Sequence, residues 1–150
     1  MRKRFLDIYK KYEEIIVYLI MGVFTTLVNL VSKYALLFTI LDATNGFQLQ
    51  VAVIISWIIA VIFAYFTNKK WVFKSKNTDI LKEFTSFVIA RISTLLMEMF
   101  IMWFFVTLLK LDSDLWVIIW TIISQVIVIV VNYILSKLFI FRDGKNEKSK

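Results

Sequence analysis

A chain of 150 residues that is 60% apolar, with no proline, no cysteine and only three glycines, has the length of one soluble domain but not its composition. The lack of cysteine excludes disulfides and thiolate metal sites, and the lack of histidine removes the commonest general base and metal ligand, so neither catalysis nor a bound cofactor is expected. A formal charge of +7 spread over a soluble surface would suggest nucleic acid, but here the basic residues cluster between apolar runs, which points to a membrane and away from nucleic acid.

Apolar stretches of about 20 residues, the length that crosses a bilayer, recur four times. The expected fold is therefore an all-α integral membrane protein of four transmembrane helices, because only helices or closed barrels satisfy their backbone in lipid. Lys and Arg fall in three groups: Arg2, Lys3, Arg4, Lys10 and Lys11 before the first span; Lys69, Lys70, Lys74, Lys76 and Lys82 in the middle loop; Lys137, Arg142, Lys145, Lys148 and Lys150 after the last. The other two loops hold only Lys110. By the positive-inside rule both termini and the middle loop are expected in the cytoplasm, with the protein multi-pass in the cell membrane.

In chain order, residues 1–14 are charged, and Phe5, Ile8 and Tyr12 at helical spacing suggest a short amphipathic helix on the inner membrane surface. The apolar run that follows is too long for a cleaved signal peptide and has no small-residue cleavage site. The first span, about 15–41, carries Gly22, Thr26, Asn29 and Lys33 on one stripe. A short external turn follows at 42–47, with Asn45-Gly46 as the breaker. The second span, about 49–66, holds Ser56, Ala60 and Ala64 at four-residue intervals, a small-residue ridge read as helix packing. The third span, about 83–109, contains Arg91 and Glu98, seven residues apart and so on one face. Charges placed centrally cost roughly 2.5 to 3.5 kcal/mol each on insertion scales, so both should face the bundle interior and have partners. The fourth span, about 115–135, puts Thr121, Gln125, Asn132 and, just beyond it, Ser136 on one face. Pointing the three polar stripes at a shared cavity is the simplest arrangement.

The stretch Tyr65-Phe-Thr-Asn-Lys-Lys-Trp-Val-Phe-Lys74 returns 68 residues later as Tyr133-Ile-Leu-Ser-Lys-Leu-Phe-Ile-Phe-Arg142. The same offset pairs Ile55-Ser56 with Ile123-Ser124 and Thr25-Thr26-Leu27 with Ser93-Thr94-Leu95. One constant offset favours duplication of a two-helix unit over chance. A single copy on its own reads as a helix end with interfacial anchors. The expected organisation is a cytoplasmic amphipathic segment at 1–14, a membrane domain at 15–142 with repeats of about 15–74 and 83–142, and a cytoplasmic tail at 143–150. Both repeats enter from the cytoplasm, so they are expected to be parallel, related by a pseudo-two-fold axis along the membrane normal.

At about 1.5 Å per helical residue, Glu98 falls near the middle of the third span, Arg91 about 10 Å nearer the cytoplasm, and Lys33 in the outer half of the first. A pairing of Lys33 with Glu98 would offset both burial costs and leave Arg91 as the less neutralised cation. A residual positive charge among polar groups, with Lys69, Lys70 and Lys137 at the cytoplasmic mouth, suits an anionic amphiphile. Its phosphate would be met by Arg91, and its hydroxyl-rich groups by Asn29, Gln125 and Asn132. The competing reading of the charges is interhelical glue with snorkelling ends. The mouth lysines are also what the positive-inside rule and anionic membrane lipids require.

The repeated segments Asn68-Lys69-Lys70-Trp71-Val72-Phe73 and Ser136-Lys137-Leu138-Phe139-Ile140-Phe141 resemble the "Asn-basic-x-aromatic-aliphatic-Phe" pattern of the GtrA-like family. Gly22, Thr25, Thr26 and Asn29 at the start of the first span also fit, and the resemblance runs over roughly 15–142. It departs where Ser136 replaces the usual Asn and where Lys69 and Lys137 replace arginines, which substitutes point charges for bidentate forks. The resemblance implies a role in moving a polyprenyl-phosphate-linked sugar from the inner to the outer leaflet. A separate membrane glycosyltransferase would make that lipid, and another enzyme would pass the sugar to teichoic acid or a similar wall polymer. It adds Asn68 to the candidate substrate-binding residues. Two alternatives stay open: a non-transporting subunit of the glycosyltransferase, and a small cation or drug exporter using Glu98, for which Arg91 and Lys33 make the field unsuitable. Self-association is a further open partner class. No P-loop is present to power transport.

The topology is testable by labelling. With a membrane-impermeant thiol reagent on intact cells, Lys76→Cys and Lys148→Cys should resist and Asp112→Cys should react; labelling at position 76 from outside would overturn it.

Overall fold

The structure, a computed structural model, describes residues 2–111 and 113–141, with side chains from Tyr12 onward. Asp112, Arg142 and the tail 143–150 lie outside the described residues, as do the side chains of Phe5 and Ile8. The fold is all-helical among the described residues, with four helices long and apolar enough to cross a membrane: Tyr12–Thr39, Gly46–Val72, Ile80–Leu108 and Asp114–Ile140. The chain is thus a multi-pass membrane protein. It divides into two compact units, Met1–Ser75 and Lys76–Lys150.

In the first unit α1 (Arg2–Thr39) runs without a break from the basic N-terminus through the first span. The short surface helix expected at 1–14 is therefore continuous with α1: the 3.6-residue pattern of Phe5, Ile8 and Tyr12 lies in a helix, and nothing at Glu13-Glu14 interrupts it. The helix ends where Ile40 and Leu41 both donate to the Leu36 carbonyl, at 3.0 and 2.9 Å. In the following turn the Asp42 carboxylate accepts from the backbone N–H and hydroxyl of Thr44, each at 2.8 Å. Those two bonds hold its pKa below the ordinary value, so whatever stability they lend is present above the unfolded-state pKa and lost as pH falls through the folded one. Asn45, anticipated as a breaker, is the N-cap of α2: its Oδ1 accepts from the N–H groups of Phe47 (3.0 Å) and Gln48 (3.3 Å).

α2 (Gly46–Thr67) packs along α1 through small residues. Ser56, Ala60 and Ala64 are all buried, as the ridge predicts, and Ala52 extends it by a further turn. Near its end two side chains capture helix carbonyls. The Thr67 hydroxyl donates to Phe63 and Ala64 O at 2.9 and 3.1 Å, and Asn68 Nδ2 donates to Ala64 O at 2.7 Å. With those acceptors engaged the ladder widens to i→i+5 spacing and continues as a π turn, π1 (Asn68–Val72), closed by Phe73 N–H to Asn68 O at 2.9 Å. Lys74 then takes a left-handed φ of 50°, and its Nζ meets Glu13 at 3.3 Å.

The second unit opens with α3 (Ile80–Met102), capped by Asp79 accepting from Lys82 N–H at 3.2 Å, and extends into π2 (Trp103–Leu108). Lys110, at φ 54°, reverses the chain toward α4 (Asp114–Leu135), which packs along α3 and ends in π3 (Ser136–Ile140). Phe141 N–H closes π3 onto Ser136 O at 2.8 Å. Helical structure thus persists through both basic-aromatic segments that a single copy presents as interfacial helix ends. Only the first aromatic of each behaves as an anchor: Trp71 and Phe139 are exposed, whereas Val72, Ile140 and Phe141 are buried. Phe73 packs on Tyr18 with ring centroids 6.3 Å apart, and Phe141 on Phe87 at 5.8 Å.

The small-residue ridge makes a direct prediction. Ala60→Phe should overpack α1 against α2 and cost about 1–3 kcal/mol, read as a lower melting temperature in detergent. Ile59→Phe, on the exposed face, serves as the control; equal melting of the two variants would contradict the packing.

Candidate functional site

The polar residues of the spans are best organised in the second unit, where α3 and α4 run antiparallel and are joined at two levels. Thr94 Oγ1 donates to Asn132 Oδ1 at 3.1 Å, with both residues buried. About one turn further along α3, Gln125 Nε2 donates to Glu98 Oε1. Thr94 Oγ1 also lies 3.2 Å from Ala90 O and 3.1 Å from Arg91 O, so its single proton is shared between the clasp and its own helix. Asn132, expected as a ligand for hydroxyls, thus has its carbonyl engaged by Thr94 inside the pair. Gln125, exposed within its unit, holds the Glu98 carboxylate in place.

Arg91 is half-buried, one turn toward Ile80 from Thr94, and its guanidinium lies over the Phe87 ring, 4.8 Å from the centroid. Among the described residues of its own unit no carboxylate pairs with it. Because the helical span begins at Ile80, three residues earlier than the sequence suggests, its middle falls near Thr94. Arg91 and Glu98 therefore straddle the middle, about 4.5 Å to one side and 6 Å to the other, instead of Glu98 alone marking it. Lys137 is exposed beside Tyr133, its Nζ 3.1 Å from the phenol oxygen.

In the first unit, Asn29 and Lys33 are half-buried on α1, and Lys33 Nζ sits 5.2 Å from the Tyr34 ring centroid. Asn68 is buried at the start of π1 with its Nδ2 on Ala64 O, and its Oδ1 has no partner among the described residues. Lys69 is half-buried, and Lys70 is exposed over Trp71 at 5.4 Å. The expected pairing of Lys33 with Glu98 would join different units. Within its own unit each charge already has a neighbour, a tyrosine ring for Lys33 and an amide for Glu98.

Three residues outside the sequence-based set matter here. Thr94, conspicuous in the sequence only as part of the repeat, completes the buried clasp to Asn132. Phe87 carries Arg91, and the signal was the four-residue spacing that stacks side chains on one helix face. Glu83 is buried at the start of α3, and nothing in the sequence sets it apart from an interfacial acid.

Four apolar helices in two pairs, with amide and charged side chains inside the spans and no group of three or more metal-ligating side chains among the described residues, define a polytopic membrane protein whose polar chemistry lies within the bilayer. Comparison with known proteins agrees. Residues 17–141 match the family described as "GtrA/DPMS, transmembrane domain", and the chain belongs to that family. It is 38% identical over 134 residues to the cell wall teichoic acid glycosylation protein GtcA of Listeria monocytogenes, covering 87% of this chain and 86% of that one. Similarity to GtcA of Listeria innocua is 37% over the same coverage, and to the membrane protein YwcD of Bacillus subtilis 36%, covering 87% of this chain and 98% of that one.

The Thr94–Asn132 clasp can be isolated by a double-mutant cycle. Thr94→Val should leave the Asn132 carbonyl buried and unpaired at a cost of about 0.5–2 kcal/mol in mixed-micelle unfolding, and Thr94→Val/Asn132→Leu should lose less than the two single variants summed. Strict additivity would remove the clasp as a stabilising element.

Proposed function

We propose that the chain takes part in glycosylation of cell-wall polymers, and that it does so by carrying a polyprenyl-phosphate-linked sugar from the inner to the outer leaflet of the cell membrane. The observation that carries this reading is the Arg91 guanidinium near the middle of α3, lying over an aromatic ring with no carboxylate partner among the described residues of its own unit. An intramembrane cation of this kind is costly, and a phosphate entering the membrane on a lipid is the anion that would relieve it. The guanidinium offers two parallel N–H donors to a phosphodiester, which a lysine cannot reproduce. The relatives named for teichoic acid glycosylation, similar over most of both chains, support the cell-wall context.

On this reading the three basic clusters face the cytoplasm. There Lys69 and Lys70 in the first unit and Lys137 in the second each offer charge to the anionic head, and Arg91 receives the phosphate along the way. The further polar candidates are Asn29, Lys33 and Asn68 in the first unit and Glu98 and Gln125 in the second. A membrane glycosyltransferase provides the loaded lipid, and transport draws on the substrate gradient, on protons through Glu98, or on that partner. A second reading, a non-transporting subunit that steadies the glycosyltransferase, draws on the two α3–α4 clasps, since polar groups spent on each other are glue. Reconstitution of the purified protein in liposomes with a lipid-linked sugar separates the two: transport exposes the sugar on the far leaflet, and a subunit leaves it where it was.

In cells lacking the native protein, Arg91→Lys at normal membrane abundance should lose most polymer-linked sugar. Full glycosylation with that variant would reduce Arg91 to a structural charge and move the phosphate to Lys69, Lys70 and Lys137.

A further inference from the structure

We infer that Phe87 is a positioning residue for the anion held by Arg91: its ring holds the guanidinium in place without neutralising it, which leaves the charge to the ligand. The inference rests on the reading of Arg91 given above. Phe87 and Arg91 lie four residues apart on α3, and the guanidinium carbon is 4.8 Å from the ring centroid. The ring itself is 1% exposed and packs at 56° against Phe141, 5.8 Å away, whose backbone N–H closes π3. It is therefore a fixed platform.

The geometry decides what remains available on the cation. An aromatic face attracts the delocalised positive charge through its quadrupole and leaves the net charge of the cation in place. A carboxylate partner would do the opposite, occupying the fork and cancelling the charge. An aliphatic residue at 87 would give no electrostatic hold, and the long arginine stem would be free to snorkel toward the headgroups. The first unit separates packing from this role. There Tyr18 packs on Phe73 at 6.3 Å, but four residues after Tyr18 stands Gly22, so that ring pair carries no cation from the same helix position. A ring against the π-turn phenylalanine is common to both units, and in the second Arg91 is laid over it.

The test uses the full chain purified in dodecyl maltoside, titrated calorimetrically with farnesyl phosphate as a short isoprenoid phosphate and with farnesol as its uncharged control. Phe87→Leu should weaken farnesyl phosphate binding about 5- to 30-fold, the span of one desolvated cation–π contact, and leave farnesol unchanged. Phe87→Tyr, which keeps the ring face, should restore affinity to within about twofold. In an Arg91→Gln background Phe87→Leu should have no further effect, an outcome that a purely structural Phe87 would not give. Phe87→Met, close in volume, carries the same test where Phe87→Leu lowers the folded yield. Wild-type affinity in Phe87→Leu, or an equal loss with and without Arg91, overturns the inference while Arg91 stands. If Arg91→Gln itself binds farnesyl phosphate like wild type, the phosphate reading of Arg91 falls, and the positioning role falls with it.

Discussion

In hydrocarbon every backbone N–H and C=O must find its partner inside the chain, and the rest of this structure follows from how each helix meets that demand. Several hydroxyls inside the spans are spent locally. Thr25 bonds to Met21 O, Ser56 to Val53 O, Ser93 to Ile89 O and Ser124 to Thr121 O, so small polar residues sit within apolar helices without a distant partner. Where such side chains compete for carbonyls at the end of α2, the helix does not break. It shifts to wider spacing in π1, which keeps the backbone paired while turning the basic-aromatic segment so that Trp71 faces outward and Val72 inward.

Charge is handled by the same principle at higher cost. Glu98 is met by an amide from α4, Lys33 lies near a tyrosine ring, and Arg91 is stacked on Phe87. None of these arrangements neutralises a charge within its own unit. A cation–π contact worth up to about 2 kcal/mol when desolvated offsets part of the roughly 3 kcal/mol that a central arginine costs on insertion scales. Thr94 and Asn132, by contrast, are uncharged and tie α3 to α4 at a buried level, and Gln125 with Glu98 joins the same two helices about one turn further along.

The two units solve one packing problem in similar ways. π1 and π3 begin at Asn68 and Ser136, Ser56 and Ser124 are both buried, and an aromatic from each unit's first helix meets the residue closing its π turn. The pairs 56/124, 68/136 and 73/141 keep the 68-residue offset of the sequence. The units also differ. Arg91 has no basic counterpart in α1, π2 extends α3 where α1 ends in an ordinary turn, and the buried Asn68 carbonyl without a partner occurs only at the first π turn among the described residues.

Span number, the clustering of basic charge and the packing face of α2 were determined by the sequence alone, because a bilayer fixes helix length and small residues at four-residue spacing can lie only on one ridge. The same holds for Asn45 and for the positions of the intramembrane charges, which composition makes conspicuous. Which polar group would meet which depended on tertiary structure. Periodicity places Asn132 on a face but cannot tell whether Thr94 or a ligand lies opposite, and it cannot tell that the aromatic one turn before Arg91 is immobilised by Phe141. The π turns were equally hidden, since an i→i+5 ladder leaves no period of its own in five residues and arises only when side chains and packing settle which carbonyls are free.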